Sequence, residues 1–313
     1  MSRTLEIVSP GALTLVQDLG RPGLAHLGVG TAGAMDRAAH TLANRLVGNP
    51  VGAATLEVVL GGLVVRFAAP TWFAVTGAWG ELVLDGATSG GRTGSIDDDP
   101  DRAFSPARTV EPHTATLAPA GSTLSVGAAT AGVRFYLAVR GGITVPAVLG
   151  SRSRDTLAAL GPAPLRAGDV LPIGAEPATA VPSVDLVPVG PPATEVTLAL
   201  RPGPREDWFA AASITTFYGS AWTTSARSDR TGIRLEGVAL ERDAAHAGEL
   251  PSEGMVAGAI QVSPDGTPTI LAVDHPVTGG YPVIAVVTAA SLDALAQLRP
   301  GQEVRFLHAT GHG

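Results

Sequence analysis

The sequence predicts a mainly β protein built from two barrel- or sandwich-like domains with a few short helices. Three observations carry that expectation. Short runs rich in β-branched and aromatic residues recur along the chain, each bounded by Gly, Pro, Asp or Asn. Glycine (39) and proline (25) are abundant in a chain of 313 residues, which fits dense turns rather than collagen or disorder. Only three segments carry a helical pattern.

In order along the chain, residues 4–8, 13–19, 55–60, 63–68, 71–75 and 81–84 read as strands, with Gly61-Gly62 and Asp85-Gly86 as hairpin turns. The pattern resumes at 114–117, 123–126, 133–139, 195–200, 255–262 and 269–273, and another apolar run follows at 283–288. A longer helix is expected near 34–47, with apolar Met35, Leu42, Leu46 and Val47 and a stop at Gly48-Asn49-Pro50. Shorter helices are expected at 204–211, with proline near the start, and at 291–298. The proline-rich, charge-poor stretch 176–194 reads as an extended linker. It divides the chain into an N-terminal β-rich domain, 1–190, and a C-terminal domain, 191–313.

Composition excludes several classes. A net charge of −7 argues against a nucleic-acid partner, which wants a basic face. No apolar run reaches membrane-spanning length and no basic-then-apolar leader opens the sequence, so a cytoplasmic protein without a membrane partner is expected. Cysteine is absent, which removes disulfides, thiolate nucleophiles and thiolate metal sites. Lysine is absent too, all 21 basic residues being arginine. The chain therefore has no phosphate-loop lysine and nothing to carry biotin or lipoyl. Nucleotide or carrier chemistry would have to come from another polypeptide. The seven histidines form no metal-spaced pair, and no tightly bound metal is expected.

The densest chemistry lies in Asp274-His275-Pro276-Val277-Thr278-Gly279-Gly280-Tyr281-Pro282, between two apolar runs. An acid, a hydroxyl, paired glycines and a phenol on one connection suit a site; they also suit a tight turn. Four more polar clusters stand in apolar surroundings: residues 16–23 with Asp18 and Arg21; 33–36 with 43–49; 140–143 with 150–153; and 228–235 with Arg230 and Arg234. Each alone reads as a salt bridge or turn. Together they are the residue types that hold small polar ligands, with arginine forks for carboxylates and acids for proton handling.

From end to end the chain resembles the biotin-dependent carboxyltransferase-related family. The motifs are VQDLGRPG, GAMD, ANRLVGN, YLAVRGGI, LGSRS, RAGDVL, SDRTGIRLEG, SEGMVAGAIQV, TGGYP and LAQLRPGQEVRF, in order. That family includes the C-type component of bacterial 5-oxoprolinase, allophanate hydrolase subunit 2, half of the urea carboxylase carboxyltransferase domain, and the Kip-type kinase-inhibitor antagonist. The resemblance implies a cyclophilin-like C-terminal barrel and a B-type partner chain (allophanate hydrolase subunit 1 or a Kip-type inhibitor). One departure is Val283, where the family pattern usually has lysine after TGGYP.

The expectation that follows is one component of a multi-chain hydrolase that opens a cyclic or ureido amide with ATP. 5-Oxoproline is the leading substrate, and an A-type chain is a further partner. Alternatives are a non-catalytic regulator that antagonises a Kip-type histidine-kinase inhibitor, and the carboxyltransferase component of a urea carboxylase system. The expected catalytic residues are Asp274 as base, with Thr278 and Tyr281 in a cradle for a developing oxyanion. Expected substrate contacts are Arg230, Arg234, Gln261, Gly279 and Gly280, with Asp18 and Arg21 facing the same cleft.

Overall fold

The computed structural model describes residues 3–86, 107–183, 187, 189–246 and 248–309. Among these, β-strands dominate and three α-helices are present. The first strands are β1 (Thr4–Pro10), β2 (Leu13–Gln17), β3 (Thr55–Val59), β4 (Leu63–Phe67), β5 (Thr71–Trp79) and β6 (Leu82–Asp85), with helix α1 (Arg37–Leu46) between β2 and β3. They are followed by β7 (Arg108–Thr109), β8 (Thr116–Ala118), β9 (Thr123–Val126), β10 (Ala131–Val139) and β11 (Val170–Pro172). Two antiparallel sheets result, ordered β11-β1-β4-β9-β6-β7 and β2-β3-β10-β5-β8.

The two sheets share one apolar core that includes Leu5, Ile7, Val65, Phe67, Phe73, Val75, Leu124, Phe135 and Leu137. Phe135, Leu137 and Val139 of β10 face that core, so the period of two sends Arg134, Tyr136 and Ala138 to the opposite face. There α1 covers Tyr136, Ala74 and Ala138 with Ala39, Ala43 and Leu46, joined by Val47 just after the helix. A strand buried on both faces explains why 133–139 reads as an almost unbroken apolar run.

The later chain forms β12 (Val196–Pro202), helix α2 (Ala211–Gly219), β13 (Trp222–Thr224), β14 (Gly232–Glu236), β15 (Glu253–Gly254), β16 (Ala259–Val262), β17 (Pro268–Leu271), β18 (Thr278–Gly279), β19 (Val283–Val287), helix α3 (Ala289–Leu295) and β20 (Glu303–His308). Seven of these strands close a barrel in the order β12-β19-β16-β17-β14-β13-β20, sealed by the parallel pair β12–β20 with Val196 opposite Val304. Closure removes free strand edges. Its interior packs Leu198, Ile233, Leu235, Ile260, Ile270, Ile284 and Phe306, and Met35 reaches into the same cluster from the loop before α1.

Some sequence expectations change. Gly61-Gly62 is no hairpin turn, since β3 and β4 belong to different sheets. Leu60, Gly61 and Gly62 all have positive φ (60°, 87° and 80°), and this left-handed corner carries the chain across from sheet to sheet. The chain beyond Gly86, which the 85–86 turn would enter, lies outside the described residues. Residues 204–211 hold only a single 3-10 turn at Glu206–Trp208, and α2 starts where that expected helix ended. The segment 228–235, read as a polar cluster, is half strand: β14 buries Ile233 and Leu235 and turns Arg234 outward.

Candidate functional site

Arg230 is 3% exposed, yet it makes four polar contacts. Its Nε and Nη2 donate to Oδ2 and Oδ1 of Asp274, both at 2.9 Å. Its Nη1 donates to Oε1 of Glu57 at 2.6 Å, and Nη2 also donates to the Gly33 carbonyl at 2.7 Å. The guanidinium fork thus joins the barrel loop carrying Asp274 to β3 and to the loop before α1. Such bidentate geometry is the strong form of the ion pair.

Glu57 is the hub of this network. Its Oε2 accepts from the Tyr136 hydroxyl at 2.7 Å and from the Met35 amide at 3.1 Å, while Arg134 Nε lies 3.5 Å from Oε1. Burial by itself would raise the Glu57 carboxyl, but Arg230 and Arg134 beside it hold it below the usual range. Burial likewise opposes the Arg230 charge, and Glu57 and Asp274 overcome that and hold its pKa above the ordinary value. The Oδ2 oxygen of Asp274 also accepts the Thr156 amide (2.9 Å) and hydroxyl (2.7 Å). Asp274 is 1% exposed.

Asp18 sits apart from this network. Its carboxylate accepts from the hydroxyls of Ser151 and Ser153, both at 2.6 Å, and from the amides of Gly20 and Arg152. Burial would raise it, and these four donors hold it below the usual carboxylate range. Arg21 is turned to backbone carbonyls, with Nη2 on Ser153 and Nε on Val148. Both residues stitch the VQDLGRPG loop to the LGSRS loop. The ANRLVGN motif does similar work: Asn49 donates to Asn44 and to the Val139 carbonyl and accepts from Gly141.

A second group faces outward. Arg234 on β14, Thr269 on β17 and Gln261 on β16 lie in register across three adjacent strands, on the face opposite the barrel core. With Asp229, Ser263, Pro276 and Tyr281 they line a pocket of about 330 Å³. Tyr281 is 42% exposed at its rim. Thr278 and Gly279 form β18, paired to Gly254 and Glu253 of β15. Gly279 and Gly280 are absent from the positive-φ glycines, so their bare α-carbons serve space instead. A Cβ on Gly279 would stand 3.2 Å from Met255 and 3.4 Å from Gln261 Oε1, and one on Gly280 would stand 3.3 Å from the Leu250 carbonyl.

The segment 274–281 therefore runs between two hollows. Pro276 and Tyr281 face the polar pocket, while His275 and Val277 line a more apolar cavity of about 350 Å³ against Gly30, Ala32 and Met35. Asp274 lines neither and is held in the ion network. The structure thus brings together Arg234, Gln261 and Tyr281, and separately Arg230 and Asp274. It sets Asp18 and Arg21 elsewhere, and it exposes Thr278 on the short ribbon.

Glu57, Arg134, Tyr136, Thr156 and Gln297 are not among the expected site residues, although Tyr136 and Gln297 lie within the YLAVRGGI and LAQLRPGQEVRF motifs. Gln297 donates to Asp36 Oδ2 (2.8 Å) and accepts the amides of Val133 and Arg134, tying α3 to α1 and β10. A signal existed for three of them. Glu57 is the only charge within TLEVV, and Arg134 and Tyr136 alternate within an apolar strand, which is where a buried polar group must have a partner.

Among the described residues no group of three or more His, Asp or Glu side chains could hold a metal ion, and no helix is long and apolar enough to cross a membrane. Residues 27–308 match the family of carboxyltransferase domains, subdomains A and B. The chain is 37% identical to the C-type component of 5-oxoprolinase from Escherichia coli, over 98% of this chain and 91% of that protein. It is also similar to the solved structure of TTHA0988 (TM-score 0.82, 34% identity, 98% of this chain) and to that of the Kluyveromyces lactis urea amidolyase (TM-score 0.86, 30% identity, 99% of this chain). It spans 56% of the former chain and 19% of the latter.

Proposed function

The chain belongs to the carboxyltransferase family of subdomains A and B, and from that premise we propose that it is the C-type component of a cytoplasmic, ATP-dependent 5-oxoprolinase. The observation that carries the proposal is its end-to-end similarity to the E. coli protein of that kind. In this reading it works with B-type and A-type partner chains, which bring the nucleotide chemistry that a lysine-free chain lacks. In the two larger relatives the equivalent unit stands beside further polypeptide, which supports a partner here.

The outward pocket suits the substrate. 5-Oxoproline offers a carboxylate and a lactam. Arg234 presents a guanidinium for the first, and Gln261 presents both an amide donor and an acceptor for the second. Tyr281 supplies a hydroxyl at the rim. An unstrained lactam resists water, so ATP is needed to activate its carbonyl oxygen. With the γ-phosphoryl group on that oxygen and ADP released, water adds to the ring carbon and the ring nitrogen leaves as the amine; a second water then frees phosphate from the acyl phosphate, giving glutamate. Arg230, Asp274 and Glu57 are positioning residues in this scheme, since their polar atoms are taken up by one another and by Thr156, Tyr136 and Arg134.

A urea-carboxylating role is the second reading, favoured by the likeness to the urea amidolyase. Val283 weighs against it. Where the family usually carries a lysine, this side chain is 4% exposed and packs with Met255, Ala259 and Leu271. A regulatory role against a Kip-type inhibitor would use partner binding without turnover.

The test is reconstitution with the B-type and A-type partners, assayed for ATP-dependent release of glutamate from 5-oxoproline. Turnover that needs this chain is the expected result. Tight partner binding with no turnover on any lactam would move the protein to the regulatory reading. Biotin-dependent carboxylation of urea would move it to the other.

A further inference from the structure

The outward pocket that holds Arg234, Gln261 and Tyr281 carries a second charge, which the 5-oxoproline scheme leaves unused. Asp229 lines it as well. The Asp229 amide donates to the Gly232 carbonyl at 3.1 Å, and its Oδ1 accepts the amides of Thr231 (2.7 Å) and Gly232 (3.1 Å). These contacts within one turn fix the carboxylate at the start of β14. Among the described residues, nothing donates to its other oxygen, Oδ2. The Arg234 guanidinium and the Gln261 side-chain amide likewise have no hydrogen-bond partner among the described residues, and Arg234 forms no ion pair with Asp229.

The strand between the two charges is kept bare. Gly232 lines the same pocket, two residues from Arg234 and so on the same face of β14. A Cβ there would stand 2.8 Å from Thr269 Cγ2. Gly232 is absent from the positive-φ glycines, so it serves space rather than backbone conformation. The pocket thus offers an unpaired cation and an unpaired carboxylate with a cleared position between them along the strand.

That pattern exceeds what 5-oxoproline needs. The lactam has one charge, its carboxylate, and its ring nitrogen is neutral. An α-amino acid carries an ammonium and a carboxylate on one carbon, and ring opening creates that pair, since the released amine takes up a proton from water. We propose that Asp229 makes this pocket a reader of α-amino-acid zwitterions, which holds the opened product, glutamate, in preference to an analogue without the amine. Arg234 takes the α-carboxylate and Asp229 Oδ2 accepts from the α-ammonium. The identity of the amino acid rests on the 5-oxoprolinase reading, whereas the demand for both charges rests on Asp229 and Arg234. The charged contact to Asp229 forms only once the ring opens, so it favours later states of the reaction over the bound lactam. Asp229 is exposed, which makes the effect that of a screened pair.

The test is titration of the full chain at pH 7.5 with L-glutamate, glutarate, 4-aminobutyrate and 5-oxoproline, followed by amide chemical shifts. Glutamate should bind about fivefold more tightly than glutarate, which lacks the amine, and than 4-aminobutyrate, which lacks the α-carboxylate. Asp229→Asn keeps an oxygen for the two turn amides. It should bring glutamate down to the level of glutarate and leave 5-oxoproline within about twofold. Equal affinity for glutamate and glutarate, no binding of glutamate, or a preference unchanged in Asp229→Asn would overturn the proposal. Turnover by the reconstituted complex is scored separately. Turnover without the preference removes the zwitterion site and keeps the 5-oxoprolinase reading; the preference without turnover keeps the site and removes that reading.

Discussion

Arg230 and Asp274 form a two-pronged ion pair, Nε to Oδ2 and Nη2 to Oδ1 at 2.9 Å each, with both side chains at most 3% exposed. The same guanidinium reaches Glu57 across the junction between sheet and barrel. Asp274 is paired with this cation, and Glu57 shares it with Arg134, so the guanidinium links the two acids across that junction. Removing one partner of a buried pair leaves an uncompensated charge, so Arg230→Met should lose about 3–5 kcal/mol of stability by urea unfolding. Neutralising the acids as well, in Arg230→Met with Glu57→Gln and Asp274→Asn, should recover much of that loss. A single variant within 1 kcal/mol of the parent (about the value of an exposed pair) would deny the network its role.

Gly33 is expected to tolerate no side chain. Its φ is 96°, and a Cβ would stand 2.8 Å from the Gly20 nitrogen and 2.9 Å from the Leu19 carbonyl carbon. Backbone cannot swing aside as a side chain can. The collision would also shift the Gly33 carbonyl that Arg230 holds at 2.7 Å. Gly33→Ala should therefore cost about 2 kcal/mol or more, read from denaturant midpoints.

Two buried groups on α1 and its cap give opposite pH slopes. Burial raises Asp36 from 3.8 to about 6, so its contribution is fully present below pH 3.8 and is lost as pH rises through 6. Burial lowers His40 from 6.5 to about 4, so its contribution is fully present above pH 6.5 and is lost as pH falls through 4. Between pH 4 and 6 the two oppose each other. Asp36→Asn should make unfolding free energy climb more steeply with pH across that window, and His40→Gln should make it climb less. Each change approaches about 1.4 kcal/mol per pH unit at most. Parallel pH profiles for both variants and the parent would contradict the assignment.

Arg234 should separate turnover from folding. It stands outward on β14 with no role in the barrel core. Arg234→Ala should leave stability within about 0.5 kcal/mol of the parent, while the reconstituted complex loses about tenfold or more in kcat/KM, mostly through KM. Arg234→Lys should restore little if the contact is bidentate. An unchanged KM would place the substrate carboxylate elsewhere.

The sequence by itself determined the β-rich character, the positions of most strands, helix α1 and the family, because strand periodicity, turn residues and motif order are local in the chain. It also marked Arg230, Arg234, Gln261 and Asp274 as special. It did not sort them. Arg230 and Arg234 sit four residues apart, yet one is locked beneath the surface against Glu57 and the other faces solvent beside Gln261. That division depends on β14 beginning at Gly232, which turns Arg234 to the outer face, and on a carboxylate 173 residues away that meets Arg230. Pairings of that range follow from how sheet and barrel dock, and no local pattern encodes them.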